Sequence, residues 1–274
     1  MDKNYLKQLV ATALAEDIGS GDLTASLIPK AALAKAKIIS KQAFVICGKD
    51  FVTEVFRQLD QMVAIDWKIN DGDLTRNNEV LCEISGPARS LLTGERTALN
   101  FLQTLSSTAT LTQQFVKKIS GTKTTLLDTR KTIPGLRIVQ KYAVTCGGGK
   151  NHRFGLYDAI LIKENHIAAC GSITAAITEA RKLYPDKKIE VEVQNLVELR
   201  EAISANPNII MLDNFDLANI QQAVTINAGK TKLEVSGEVS LDNILDIAKT
   251  GVDYISVGAI TKTIIKIELS MLFS

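Results

Sequence analysis

Residues 189–215 read IEVEVQNLVELREAISANPNIIMLDNF. A strand-like run, IEVEVQ, is followed by a helix-like stretch, LVELREAIS, and then by a second strand-like run, NIIMLD. Strand, helix and strand in that order make a β/α unit, and a chain of such units makes a parallel sheet. The same rhythm extends in both directions. TTLLDT and DAILIK precede the stretch, and TKLEVS and DYISVG follow it. Between the runs lie further helix-like segments: SITAAITEARKLY, LANIQQAV and LDNILDIAK. Six clear units and a potential seventh approach the number that closes a β/α barrel. An open doubly wound sheet is the alternative, but it more naturally carries a GxGxxG turn after its first strand, and none is present.

The first hundred residues read differently. Tyr5, Leu6, Leu9, Val10, Ala13 and Leu14 share one face of a short helix, and the polar turn EDIGSGDLT follows. AKIISKQAFVICG reads as a strand, KDFVTEVFRQLD as a helix, and VAIDWKIN and EVLCEISGPA as strands joined through DGD. From Glu95 a long helix is expected, with Leu99, Leu102, Leu105, Ala109 and Leu111 as its apolar residues. The expected fold class is therefore α/β overall: an irregular N-terminal α+β layer structure and a β/α barrel.

Bulk composition narrows the functional classes. The 274 residues suffice for one large domain or two modest ones, and a net charge of +2 argues against a general nucleic-acid or membrane-surface binder. Cys47, Cys82, Cys146 and Cys170 form no CxxC and have no zinc-ligand spacing, which fits reduced thiols. The start MDKNYLKQLV has no long apolar core, and no run approaches the roughly 20 apolar residues of a membrane span. A cytoplasmic protein with neither nucleic-acid nor membrane partner is expected.

Each barrel strand carries polar or small residues at or near its C-terminal end: Asp128 to Lys131, Lys163, Glu192, Asp213, Ser236-Gly237 and Gly258. In a β/α barrel these ends converge on one mouth, where active sites sit. From Thr129 to Lys163 the chain has seven Lys or Arg residues and one acid, Asp158. Arg137 and Lys141, four apart in IPGLRIVQKYAV, read as a solvated helix face. Arg130-Lys131 and His152-Arg153 flank strand ends or a glycine-rich turn, so they are expected to converge on an anionic substrate bearing phosphate or carboxylate. GGGK is no nucleotide P-loop, because Val144 stands where the first glycine belongs and Asn151 follows Lys150. His166 is expected to hold its loop by hydrogen bonding. Lys163 has two readings, a Schiff-base nucleophile or a fixed positive charge. Glu192 and Asp213 read as counter-ions, as acceptors for sugar hydroxyls, or as supports for Mg²⁺ bound through substrate phosphates. Ser236-Gly237 and Gly258-Ala259 are expected to precede helices and to offer backbone N–H groups to phosphate.

The segment DTRKTIPGLRIVQKYAVTCGGGKNHRFGLYDAILIKENH resembles the central signature of the quinolinate phosphoribosyltransferase family. GERTALNFLQTLSSTATLT, EDIGSGDLT, VEVQNLVEL, MLDNF, LEVSG and GVDYISVGAITK match in order, so the resemblance covers nearly the whole chain. It implies an N-terminal sandwich-like domain over residues 1–106, to which 266–274 return, and an incomplete barrel of about seven strands over 107–265. It implies transfer of phosphoribosyl from phosphoribosyl pyrophosphate to quinolinate with loss of CO₂, with Mg²⁺ as cofactor. It also implies a homodimer with active sites at the subunit interface, and leaves higher assembly open. By resemblance, Arg96 reaches quinolinate from the neighbouring subunit, and Arg130, Lys131, His152 and Arg153 clamp the substrates. Lys163 stands near the reacting centre, Glu192 and Asp213 meet the ribose and Mg²⁺, and Ser236, Gly237, Gly258 and Ala259 form the phosphate loops. One departure is Glu238, where the family often has a second glycine; its side chain is expected to face solvent. Rival readings are a Schiff-base aldolase built on Lys163, a molybdenum-associated paralogue of the same fold, and an anion-binding protein without catalysis.

Overall fold

The structure, a computed structural model, describes residues 2–273. The chain divides into two compact units. Unit 1 comprises Met1–Gln113, Ile138–Gly148 and Thr263–Ser274, and unit 2 comprises Gln114–Arg137 and Gly149–Lys262.

Unit 1 begins with helix α1 (Lys3–Ile18), whose N-terminus is capped by the Asp2 carboxylate accepting from Asn4 N–H. Its buried residues Leu6, Val10 and Leu14 belong to the expected apolar face. Strand β1 (Leu33–Ser40), helix α2 (Lys49–Leu59) and strands β2 (Ala64–Trp67) and β3 (Val80–Pro87) follow. The last strand, β10 (Leu269–Phe273), returns to pair with β1. The antiparallel sheet has the order β10-β1-β3-β2.

Two expectations change here. AKIISKQAFVICG is a strand only to Ser40. Beyond it, Phe44 to Cys47 are wholly buried; three of their N–H groups turn to side-chain hydroxyls, Ile46 donates to the Asp73 carbonyl at 3.0 Å, and the ladder is reduced to a single antiparallel bridge between Val45 and Leu74. Phe44 donates to Thr75 at 3.0 Å, Val45 to Thr110 at 2.9 Å and Cys47 to Ser106 at 2.9 Å. Helix α3 (Ala88–Lys118) starts at Ala88, seven residues ahead of Glu95. Gly94 is where α3 passes α2: a Cβ there would meet Phe56 and Leu59 at 2.7 Å.

In unit 2, six strands form one parallel sheet: β4 (Thr125–Leu127), β5 (Ile160–Ile162), β6 (Ile189–Val193), β7 (Ile209–Asp213), β8 (Lys232–Ser236) and β9 (Tyr254–Ser256). Their order is β4-β9-β8-β7-β6-β5. Taken round a circle, that is plain sequence order with the first strand beside the last, as in a barrel, and the one missing pairing lies between β4 and β5. A doubly wound sheet would reverse direction at a switch point, and none occurs. The interruption is partly filled. Lys150 makes a single parallel bridge with Leu127, donating to Leu126 O at 2.9 Å and accepting from Asp128 N–H at 3.1 Å. The seventh strand is this one residue, directly after the glycine run.

The strands are short and apolar, and β6 is buried along its whole length. Along the chain, helix α4 (Arg137–Cys146) lies between β4 and the glycine run, and the short α5 (Glu164–Cys170) follows β5. Helices α6 (Ile173–Leu183), α7 (Leu196–Ala205) and α8 (Leu217–Asn227) start at Ser172, Asn195 and Asp216, each of which caps the helix through its side chain. The short helices α9 (Ile244–Lys249) and α10 (Ala259–Lys262) complete the last units. No helix among the described residues is long and apolar enough to cross a membrane.

Candidate active site

The C-terminal ends of the unit 2 strands surround a cavity of about 350 Å³. Arg130, Lys131, His152, Arg153 and Lys163 line it together with Glu192, Asp213 and Ser236. Four fixed cations therefore face one small space with two carboxylates, and they arrive from three places: Arg130 and Lys131 from the loop after β4, Arg153 from the segment after Lys150, and Lys163 from the end of β5. Such a space favours a strongly anionic ligand, because converging guanidinium and ammonium groups pair with carboxylate and phosphate oxygens.

The charges are not free to drift. Lys163 follows β5 and is ion-paired with Glu192 of the neighbouring β6. Asp213 ends β7, and burial first, then the Glu192 charge, raises its carboxyl above the ordinary range. Arg153 is pressed below its usual value by burial first and by the Arg130 cation second. Anionic ligand would relieve the repulsion between these two guanidinium groups.

With this geometry in hand, comparisons with known proteins decide the family. Residues 108–272 match the profile described as "Quinolinate phosphoribosyl transferase, C-terminal domain", and residues 22–106 match its N-terminal domain. The chain belongs to the quinolinate phosphoribosyl transferase family. It is 42% identical over 272 residues to a protein of Bacillus subtilis named "Probable nicotinate-nucleotide pyrophosphorylase [carboxylating]", covering 99% of this chain and 94% of that one. It is 34% identical to a Nicotiana tabacum protein named "Quinolinate phosphoribosyltransferase [decarboxylating] 1b", covering 97% and 81%. A solved nicotinate-nucleotide pyrophosphorylase from Francisella tularensis superposes with a TM-score of 0.98 at 52% identity, covering 100% and 98% of the two chains.

The family signature DTRKT…NHR is held by contacts that the sequence did not reveal. Asp128, fully buried, accepts the His152 backbone N–H at 2.8 Å. Asp158 accepts from Phe154 N–H at 2.7 Å and from Gly155 N–H at 2.9 Å, closing the loop after Arg153. Arg137 and Lys141 do not form a solvated face. Lys141 is fully buried, and Arg137 ties two loops together. Its guanidinium donates to the Arg130 carbonyl at 3.4 Å, to the Phe154 carbonyl at 3.2 Å and to the Thr132 hydroxyl at 3.2 Å. The i, i+4 spacing of the two basic residues was misleading because the exposed face of this helix carries Ile138 and Thr145, while Lys141 lies on the buried face with Ala143 and Val144.

The remaining candidate residues sort by position. His166 lies outside the cavity lining, and its Nδ1 accepts from Lys163 N–H at 3.0 Å, the loop-holding role expected of it. Gly258 directly precedes α10 and packs on the β4 loop: a Cβ there would come 3.0 Å from Lys131 Cδ. Ala259 opens that helix, and Thr261 donates from its hydroxyl to the Lys131 carbonyl at 2.7 Å. Ser236 reaches the cavity. However, six residues separate Ser236-Gly237 from α9, so the pair does not form a helix start as expected. Gly237 has φ of +124°, and a Cβ would collide with Asn214 Oδ1 at 2.4 Å, so only glycine fits there. Glu238 is exposed, as expected. Arg96 is an exposed residue of α3 in unit 1.

Proposed function

We propose that this chain is a carboxylating nicotinate-nucleotide pyrophosphorylase. It transfers phosphoribosyl from phosphoribosyl pyrophosphate to the ring nitrogen of quinolinate, yielding nicotinate mononucleotide, pyrophosphate and CO₂ for NAD synthesis. The observation that carries the reading is the convergence of Arg130, Lys131, Arg153 and Lys163 on one cavity in a member of this family. Quinolinate is a dianion and phosphoribosyl pyrophosphate is more negative still, and four cations suit that pair.

The chemistry asks for orientation and charge rather than a nucleophile. As pyrophosphate leaves, the sugar ring gains positive charge, and cations around the leaving group stabilise its developing negative charge. Glu192 and Asp213 border the same space and face the electron-poor sugar. After ribosylation the C2 carboxylate leaves as CO₂, its bonding pair stays on C2 beside the positively charged ring nitrogen, which stabilises it as an ylide, and a proton from water then forms the C2–H bond. That step needs little beyond a fixed ring orientation. Lys163 then acts as a fixed charge, held by Glu192.

The cavity also suits Mg²⁺ carried in with phosphoribosyl pyrophosphate. Asp213 and Glu192 are single carboxylates on neighbouring strands, and the raised Asp213 carboxyl would gain from a nearby divalent cation. Mg²⁺ prefers this kind of site, one or two carboxylates completed by substrate phosphates and water. Bound there, it would neutralise charge on the departing pyrophosphate. The enzyme is further read as a cytoplasmic homodimer in which Arg96 is supplied to the neighbouring subunit's site.

The test is CO₂ release from carboxyl-labelled quinolinate, with phosphoribosyl pyrophosphate and Mg²⁺ each omitted in turn. Release that needs all three supports the proposal. No release from folded protein would refute it and favour the binding-only reading.

A further inference from the structure

Below the cavity, in the interior of unit 2, two carboxylates occupy a place where barrels normally carry branched apolar residues. Glu190 of β6 is 5% exposed and Glu234 of β8 is 0% exposed. Neither belongs to the cavity lining. Both face His152, whose Nε2 lies 2.8 Å from Glu190 Oε2 and 3.7 Å from Glu234 Oε2. On the opposite side of the ring, Nδ1 accepts the Arg153 backbone N–H at 2.7 Å. The imidazole thus bridges a pair of buried acids and the backbone of a cavity-lining arginine.

The acids are poorly placed for stability. Neither Glu234 oxygen completes a hydrogen bond of ordinary geometry, nor does Oε1 of Glu190. Burial first, then the Glu190 charge, pushes the Glu234 carboxyl up to about 8, while His152 pulls it down. A packed apolar pair at these positions would fill the same space without the desolvation cost. An unsatisfied buried group that a fold retains calls for an explanation beyond packing.

We propose that Glu190 and Glu234 are positioning residues for the phosphoribosyl transfer: they fix the His152 ring, and through it Arg153, where the quinolinate carboxylates are received. The inference rests on the functional reading above. The route is physical at each step. The acids orient the ring by its Nε2 edge, Asp128 holds the His152 backbone, and the ring's Nδ1 anchors the Arg153 N–H beside the guanidinium's own origin. Sequence reading did not find the acids, because in IEVEVQ and TKLEVS an inward glutamate one turn of the pleat below the mouth looks the same as an outward one.

The experiment is steady-state kinetics at neutral pH and above about pH 8 on Glu234→Gln, Glu190→Gln, His152→Ala and the double variant Glu190→Gln/His152→Ala, with thermal melting of each. Glu190→Gln, which removes the acid 2.8 Å from the ring, is expected to raise KM for quinolinate about ten- to a hundredfold, the range for losing a charge-assisted contact, and Glu234→Gln to raise it chiefly above about pH 8, where the wild-type carboxyl is ionised. KM for phosphoribosyl pyrophosphate should stay within about twofold, and the melting temperature should be unchanged or higher, as expected where binding precision and stability conflict. In the double variant, Glu190→Gln should add nothing to the loss caused by His152→Ala, since both act through one ring. Unchanged KM in both glutamine variants, fully additive losses, or melting temperatures that fall with a uniform loss of activity would overturn the inference. So would a tightly bound metal ion in the purified protein that Glu234→Gln removes, which would make the three residues a cation site. An inactive wild-type control would refute the functional reading itself, whereas an active wild type with indifferent variants refutes this inference alone.

Discussion

Replacing Lys163 separates charge from nucleophilicity. The Nζ of Lys163 is ion-paired with Glu192 and faces the cavity with its side chain 46% exposed. A charge-assisted contact to an anionic substrate is worth about 1.5–3 kcal/mol, and partial exposure places Lys163 toward the lower end. Lys163→Met should therefore lower kcat/KM by roughly 10- to 50-fold, at about 1.4 kcal/mol for each factor of ten. A second effect has a definite sign. Lys163 is one of the groups that lower the Asp213 carboxyl, which burial and Glu192 raise. Removing the cation lets Asp213 rise further, so any acid limb due to Asp213 in the pH profile of kcat/KM moves to higher pH. Lys163→Arg keeps the charge and loses the primary amine, and should recover to within about tenfold of wild type. The assay is labelled CO₂ release at fixed Mg²⁺ across pH 5.5–9, a range of about four units around neutrality. If Lys163→Arg and Lys163→Met both lose more than about 10⁴-fold, and borohydride traps a carbonyl compound on the wild-type lysine, the fixed-charge reasoning is refuted and a Schiff-base route takes its place.

If Arg96 serves the neighbouring subunit's site, Arg96→Ala and Lys163→Met homodimers are both impaired, and mixing the two chains by refolding or co-expression restores about a quarter of wild-type activity through one intact site in each mixed dimer. Activity of the mixture no greater than the mean of the two homodimers would place Arg96 in its own subunit's site or in neither. Gly147→Ala is expected to destabilise unit 1, because the added Cβ would lie 2.3 Å from the Ala109 carbonyl oxygen and 2.6 Å from Thr112 Cβ. Overpacking of this kind costs about 1–3 kcal/mol, which differential scanning calorimetry should read as a melting temperature lower by about 3–10 °C. Melting of wild-type and Glu234→Gln protein from pH 5 to 8, about three units, tests the burial of Glu234. Its folded value lies near 8, above the unfolded one, so the protonated form favours folding and its contribution is lost as pH rises toward 8. The variant should lack that decline, and parallel curves for the two proteins would show that Glu234 does not titrate in this way.

What the sequence made legible was whatever repeats or carries a fixed local pattern. All six strand-like runs are strands, because apolar runs bounded by polar turns have few other ways to bury themselves. The strand-end residues Lys163, Glu192, Asp213 and Ser236 meet in one cavity because a parallel barrel sends every C-terminal end the same way. What was not legible depends on partners distant in the chain. AFVIC looks like more strand, but the hydroxyls of Thr75, Ser106 and Thr110 take three of its N–H groups and leave only a single bridge, Val45 to Leu74. Lys141 and Arg137 look solvated, yet the residues this helix exposes are Ile138 and Thr145, and Lys141 is turned into the interior.

The glycine run between Cys146 and Lys150 joins these two kinds of information. Gly147 fits only because it has no Cβ, packed against the backbone of α3, and Gly148 takes a positive φ of +87°. The chain then reaches Lys150, whose backbone binds β4 as a one-residue strand. That short pairing explains why the barrel is incomplete at this point and why the site is rich in cations here. A full strand would bury its residues in the ladder and end in a single turn, whereas one bridged residue leaves the next three, Asn151 to Arg153, to run across the mouth. Asp128 from the adjoining strand end grips that run by the His152 N–H, and Glu190 meets the same residue's ring from below. The interruption of the barrel is thus the feature that lets His152 be held from two sides while Arg153 faces the cavity.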